Sequence, residues 1–176
     1  RTGQGLDVLL RELGTLAAAI PSRPDTGTFR LPIDRVFTIR GFGTVVTGTL
    51  LSGSVELDSP VIIYPKGLSA KVRGIQVHNQ SVNKALAGQR TAINLQGLGK
   101  EELERGDVLS HPGSLLPTYM KDISFRLLPD SPWPLKDRAR VRFHHGTREI
   151  LGRIHFLGRE ELLPGEEAYA QFRLES

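Results

Sequence analysis

Two neighbouring charges, Asp34 and Arg35, stand inside a segment that otherwise has the pattern of a β-strand. Apolar residues recur at every second position across 31–39, which predicts a strand with one buried face. Arg35 falls in the same row as Ile33 and Phe37. A charge in an apolar row is costly unless it is paired or solvated. By residue type alone, the two charges therefore indicate an ordinary ion pair at the end of a β-barrel.

A second group of candidate residues is basic. Between residues 136 and 153, six lysines and arginines stand against two acids, Asp137 and Glu149. Alternation across 139–143 predicts a strand on which Arg138, Arg140 and Arg142 share one face. Such a row is either a solvated polar face or a strip that follows the phosphates of an RNA by shape. The basic residues are Lys136, Arg138, Arg140, Arg142, Arg148 and Arg153.

The sequence predicts no catalytic residue and no metal site. His144 and His145 are adjacent, so in a strand they point to opposite faces and cannot bind one metal together in regular geometry. No G-x-x-x-x-G-K-[ST] motif occurs, so nothing predicts phosphate binding of the P-loop kind. The absence of cysteine excludes disulfides and thiolate metal sites.

Length and composition are compatible with one large or two small domains, since the chain has 176 residues of which 39% are hydrophobic. A net charge of +4 permits a polyanionic partner without requiring one. An aromatic content of 6% argues against a base-stacking platform for single strands. There is no apolar run of membrane-spanning length and no leader at the start. We therefore expect a cytoplasmic protein without membrane contact.

The elements that must position these residues are one helix and many short strands. Apolar residues from Leu6 to Ile20 follow the spacing of an amphipathic helix, which Pro21 should end. Residues 22–28 have the composition of a linker. From residue 29 onward, short strands separated by glycine and proline turns favour closed antiparallel sheets.

The segment 37–48, F-T-I-R-G-F-G-T-V-V-T-G, resembles the opening hairpin of the second-domain barrel in translational GTPases. The variant with Arg40 and Phe42 is most similar to the selenocysteine-specific elongation factors, and residues 142–149 resemble their third domain. The resemblance implies a mainly β fold, with two consecutive antiparallel β-barrels preceded by one helix. The predicted domains are residues 1–28 (the last helix of a GTPase domain and a linker), 29–115 (the first barrel) and 116–176 (the second barrel).

The resemblance also implies a binding site for the aminoacyl group. Residues matching Asp34, Arg35 and Arg90 line that pocket in the family, and His78 is a weaker candidate. A selenol is largely ionised at neutral pH and would pair with arginine, whereas a serine hydroxyl would leave the arginines unmatched. Asp34 and Arg35 can share a pocket only if the strand is irregular, which Pro32 favours. For tRNA contacts, the resemblance favours Arg138, Arg140, Arg142, His144 and Arg148.

The partners implied are selenocysteinyl-tRNA and the ribosome, with the chain itself a monomer. The chain is predicted to be no enzyme and to hold no cofactor, whereas the intact protein would bind GTP and magnesium. Two alternatives stand beside this hypothesis: the barrels of another translational GTPase, such as EF-Tu or an initiation factor, and a generic interaction barrel. The turn at 40–43 and Arg90 argue against the first, and salt-dependent tRNA binding would separate the second.

Overall fold

The computed structural model describes residues 3–20 and 27–175, and this part of the chain contains one α-helix followed by fifteen β-strands. Helix α1 (Leu6–Ala19) begins after Gly5, whose φ of 82° lies in the left-handed region that glycine adopts without strain. The predicted helix is confirmed, and its leucines are about half exposed. Pro21 and most of the predicted linker 22–28 lie outside the described residues.

The first nine strands form one unit around a closed sheet. Six of them pair in the order β4-β9-β1-β2-β8-β5, and β5 pairs back with β4, so the predicted closed antiparallel sheet is confirmed as a six-stranded barrel. Strand β6 extends the sheet beside β5, and β3 pairs with β7. The strands are β1 (Leu31–Ile39), β2 (Gly43–Thr49), β3 (Ser54–Glu56), β4 (Pro60–Tyr64), β5 (Leu68–Val77), β6 (Gln80–Val82), β7 (Lys84–Leu86), β8 (Arg90–Gln96) and β9 (Val108–Ser110).

The barrel encloses its own core. Inward-facing apolar residues of the paired strands meet there, because side chains alternate between the two faces of each strand. The largest fully buried members are Phe29, Leu31, Ile33, Leu50, Ile63, Ile93 and Leu109. A single-turn 3-10 helix (Lys100–Glu102) leads into β9.

The last six strands form a second unit with a separate core. A four-stranded antiparallel sheet has the order β10-β15-β13-β12, and β11 pairs with β14. Apolar side chains of both sheets pack in one cluster that includes Leu162 and Phe156. The strands are β10 (Met120–Arg126), β11 (Leu135–Lys136), β12 (Arg140–His145), β13 (Arg148–Phe156), β14 (Glu161–Leu162) and β15 (Glu167–Leu174).

The mainly β architecture with two consecutive antiparallel units after one helix is thus confirmed. The first core draws on residues between 29 and 109, and the second on residues between 123 and 174. The predicted domain boundaries themselves stay a prediction. Among the described residues, no helix is long and apolar enough to cross a membrane.

Candidate functional site

Strand β1 is irregular at Asp34. Ile33 pairs with Gly48 of β2, whereas Arg35 pairs with Thr47, so one extra residue is inserted in β1 between these two pairs. Such a β-bulge redirects the side chains around it and locally breaks the alternation of a strand. The expectation that this strand is irregular is therefore confirmed.

The bulge reverses which face of β1 is buried. Ile33 is fully buried, but the next residue packed against the core is Val36. Arg35 and Phe37 therefore lie on the opposite, outer face of the barrel, where Arg35 is exposed. The prediction of one continuous buried row across 31–39, with Arg35 in it, is wrong in its second half, and Ile39 is 42% exposed.

Asp34 is held by two donors from neighbouring strands. Nη1 of Arg90, the first residue of β8, lies 2.5 Å from Asp34 Oδ2. The hydroxyl of Thr47 in β2 donates to Asp34 Oδ1 at 2.7 Å. Each carboxylate oxygen thus has one donor, and the three residues form a connected group across β1, β2 and β8.

This environment lowers the pKa of the Asp34 carboxyl. Partial burial by itself raises that pKa, but the hydrogen bonds from Arg90 and Thr47 and the charges of Arg90 and Arg35 outweigh it. In turn, the hydrogen bond that Arg90 donates to Asp34 raises the pKa of Arg90. Asp34 is therefore ionised and Arg90 cationic throughout the neutral range.

Two arginines and one carboxylate leave one net positive charge at this place on the barrel surface. The side chain of Arg90 remains 53% exposed while bound to Asp34, and a guanidinium has five N–H donors. Donors of Arg90 and Arg35 therefore remain for a ligand, while the fixed carboxylate opposes a second negative charge. The arrangement suits one small, singly charged anion.

His78 lies at the same end of the barrel. It occupies the two-residue turn between β5 and β6, where His78 and Asn79 have φ of 52° and 62°. Val77, the last residue of β5, pairs with Thr91, which follows Arg90 in β8. Among the four predicted aminoacyl-site residues, the structure thus joins Arg90 to Asp34 directly, with Arg35 next to Asp34 in β1. The role of all four at an aminoacyl site stays a prediction.

The predicted basic strip is shorter than the sequence indicated. Arg138 precedes β12 and has a φ of 59°, so it does not continue the alternation of that strand. Its prediction as a member of the strand face is wrong, because a left-handed residue turns the chain. Arg140, Arg142 and His144 do lie at alternate positions of β12 and share a face.

Carboxylates neutralise part of this face. Arg140 donates from Nη2 and Nε to Glu175 at 2.6 and 3.1 Å, and Arg142 Nη1 lies 2.5 Å from Glu149 Oε1. The hydrogen bond from Arg140 lowers the pKa of Glu175. Because Glu175 is distant in sequence, counting charges between 136 and 153 overstated the positive charge of the strip.

Arg148 is directed away from the strip. Its guanidinium lies 3.8 Å from Asp107 Oδ1 of the first unit, and its side chain is 33% exposed. His144 pairs with Glu149 and His145 with Arg148, so Arg148 does not share the face of Arg140, Arg142 and His144. Its predicted contact with tRNA stays a prediction. His144 and Arg148 line a cleft of about 550 Å³ between the units, together with Glu104, Arg105, Gly146, Thr147 and Glu149.

Thr47 is the residue of this site that sequence reasoning missed. Its hydroxyl supplies one of the two hydrogen bonds to Asp34. The signal was its place in the β-branched run 44–47, which indicated a strand but not its pairing. Only the bulged register places Thr47 beside Asp34.

Comparison with known proteins shows that the chain is similar to elongation factors. A family model described as elongation factor Tu domain 2 matches residues 43–110. A selenocysteine-specific elongation factor of Desulfomicrobium baculatum is 49% identical over 172 residues, which is 98% of this chain and 27% of that protein. An elongation factor 1-alpha of Pyrobaculum aerophilum is 37% identical over 108 residues, covering 61% of this chain and 24% of that protein.

A solved structure agrees with this comparison. The crystal structure of a bacterial selenocysteine-specific elongation factor, EF-Sec, matches with a TM-score of 0.81 and 26% identity, covering 99% of this chain and 28% of that one. The chain spans about a quarter of the length of the curated relatives described. The predicted resemblance to selenocysteine-specific elongation factors is confirmed over nearly the whole chain.

Proposed function

We propose, from its homology to selenocysteine-specific elongation factors over 98% of its length, that this chain is the tRNA-binding part of such a factor. In this proposal it acts within a longer, cytoplasmic, GTP-dependent protein that delivers selenocysteinyl-tRNA to the ribosome. The first barrel would hold the aminoacyl end, and the second unit would contact the arms of the tRNA. Similarity to the selenocysteine-specific factor covers 98% of this chain, whereas similarity to elongation factor 1-alpha covers 61%. This difference supports the first assignment over the second.

The observation that carries the proposal is the charge-paired group of Asp34, Arg90 and Thr47 on the outer face of the first barrel. Together with Arg35, whose charge also acts on Asp34, this group carries one net positive charge, which fits an ionised selenol. The exposed side chain of Arg90 leaves the group open to a ligand. A serine hydroxyl carries no charge, so it would gain little from the free guanidinium donors. Discrimination would then depend on a charge-assisted hydrogen bond.

GTP and magnesium have no recognisable place in this chain. The sequence lacks a P-loop motif, so the nucleotide would be held by other parts of the longer protein. The chain itself would therefore serve as a binding module, while hydrolysis of GTP belongs to the intact factor.

The proposal is tested by comparing tRNAs that differ only in the esterified amino acid. Affinity of the GTP-loaded factor is measured for selenocysteinyl-tRNA, seryl-tRNA and the uncharged tRNA on one tRNA body, at fixed salt. We expect the selenocysteinyl form to bind most tightly. Equal affinity for all three would contradict an aminoacyl site, and no salt-dependent tRNA binding at all would favour the generic interaction barrel.

A further inference from the structure

The turn between β12 and β13 reaches from the second unit to the peptide that precedes Asp34. The Thr147 hydroxyl donates to the carbonyl oxygen of Ile33 at 2.6 Å. Gly146 lies so close to the first barrel that a Cβ there would be 3.2 Å from Pro32 Cβ. The second unit thus contacts β1 where its bulge begins.

The backbone of Ile33 is fixed from three sides. Its N–H donates to the Asp107 carbonyl at 2.8 Å, and its carbonyl accepts from Gly106 N–H at 2.9 Å as well as from Thr147. The Gly106 and Asp107 contacts belong to the first barrel. The hydrogen bond from Thr147 is the one described here that comes from the second unit. Its acceptor, the Ile33 carbonyl, belongs to the peptide bond between Ile33 and Asp34.

The surface under the turn is closely packed. Asp107 is fully buried, and Lys66 Nζ lies 3.1 Å from its Oδ2. At Gly106, with φ of 100°, a Cβ would lie 2.8 Å from Arg148 Cβ, so the two units touch without spare room. Because close-packed interiors transmit small displacements, movement of the turn would displace the backbone of Ile33.

We propose that Thr147 is a positioning residue for the aminoacyl site: its hydrogen bond to the Ile33 carbonyl fixes the bulge so that the Asp34 carboxylate meets both Arg90 and Thr47. This inference rests on the proposed function for its consequence in tRNA selection, but its structural content does not depend on that function. Thr147 touches neither Asp34 nor Arg90; it acts through the backbone. Without its bond the Ile33 carbonyl keeps only the Gly106 hydrogen bond, and the bulge keeps its pairing with β2.

The first test measures Asp34 directly in the 176-residue chain. The pKa of the Asp34 carboxyl is followed by carbon NMR in wild type, Thr147→Val and Thr147→Ser. The groups facing Asp34 are Arg90 and Arg35, which stay charged across the titration, so a change in pKa reports geometry. We expect the pKa in Thr147→Val to rise toward the ordinary aspartate value, and Thr147→Ser to restore the wild-type value. An unchanged pKa in folded Thr147→Val would overturn the proposal.

The second test measures selectivity in the GTP-loaded factor. Thr147→Val should reduce the ratio of selenocysteinyl-tRNA to seryl-tRNA affinity by about 2- to 12-fold, the effect of one hydrogen bond. Thr147→Ser should recover the ratio. If wild type shows no preference between the two tRNAs, the proposed function fails while the NMR result still decides the role of Thr147. If wild type and Thr147→Val show the same preference for selenocysteinyl-tRNA, the positioning role of Thr147 is refuted while the proposed function stands.

A backbone variant guards against a misfolded valine mutant. Gly146→Ala should push the turn off Pro32 and raise the Asp34 pKa in the same direction. Gly158→Ala is the matched control, because Gly158 also has positive φ, 73°, but a Cβ there would meet nothing within 4 Å. Both variants carry the strain of a left-handed alanine. A rise in Asp34 pKa in both, or in neither, would contradict the proposal.

Discussion

Arg90 and Asp34 are 56 positions apart in the sequence, yet Arg90 Nη1 lies 2.5 Å from Asp34 Oδ2. The bond connects the start of β8 with the bulge of β1, across the intervening strand β2. Because Arg90 is half exposed while bound, the contact orients the guanidinium without using all of its donors. This pair is the basis of the first two predictions.

Replacing Arg90 should remove selectivity for selenocysteine. In the GTP-loaded factor, Arg90→Ala should weaken selenocysteinyl-tRNA binding by roughly 10- to 150-fold, since a charge-assisted hydrogen bond contributes ~1.5–3 kcal/mol. Seryl-tRNA binding should be almost unchanged. Arg90→Lys keeps the positive charge but loses the planar guanidinium with its several donors, so the loss of affinity should be intermediate. The measurement is the ratio of the two affinities at fixed salt.

Arg73→Ala is the matched control for this experiment, since Arg73 is an exposed arginine on strand β5 of the same barrel. It should leave the affinity ratio unchanged. Equal losses for both tRNAs in Arg90→Ala would show that Arg90 serves the barrel or the RNA backbone instead of the selenol.

The ion pair should make stability depend on pH in the acid range. A carboxyl with a lowered native pKa stabilises the fold fully above its unfolded pKa, near 3.8, and loses that contribution as pH falls through the native pKa. The difference in unfolding free energy between wild type and Asp34→Asn should therefore be constant above about pH 5 and shrink below pH 3.8. Urea denaturation at a series of pH values measures it. A difference that stays constant down to pH 2 would contradict the lowered pKa.

Arg142 and Glu149 offer a paired test of RNA contact. If Arg142 meets a phosphate, Arg142→Ala should weaken tRNA binding and reduce the slope of log affinity against log salt by about one unit. Glu149→Gln should strengthen binding, because it releases Arg142 from its partner at 2.5 Å. If neither variant changes tRNA affinity, this face of β12 does not contact RNA.

Gly48 lies opposite the bulge and has no room for a side chain. A Cβ there would clash with the Pro32 carbonyl oxygen and lie 2.8 Å from Leu31 Cδ2. Gly48→Ala should therefore lower the unfolding free energy by about 1–3 kcal/mol, the usual effect of overpacking. Gly74→Ala in β5 is the control, since its Cβ would meet only Asn94 Cβ at 3.7 Å. Equal stability losses would refute the steric explanation.

The chain by itself should not bind GTP. This expectation follows from the missing P-loop motif. Calorimetric titration of the purified chain with GTP and magnesium should give no saturable heat. A stoichiometric complex would contradict this expectation and reveal a nucleotide site that has no P-loop motif.

The sequence by itself determined the strands and the order of the two β units. Alternating apolar residues and glycine turns specify local structure, so the β1–β2 hairpin and the helix were predictable from their own residues. The resemblance further predicted that Asp34, Arg35, Arg90 and His78 belong together. The structure joins Arg90 to Asp34, while the role of the four residues in binding an aminoacyl group stays a prediction.

Only the tertiary structure decided how these side chains are oriented and paired. The bulge at Asp34 depends on how β1 pairs with β2, and a shift of one residue sends the following side chains to the other face. Glu175 neutralises Arg140, and Asp107 draws Arg148 into the junction, although both acids are far away in sequence. Periodicity is a property of neighbours along the chain, whereas register and ion pairs depend on contacts between distant segments, so the sequence pattern left them open.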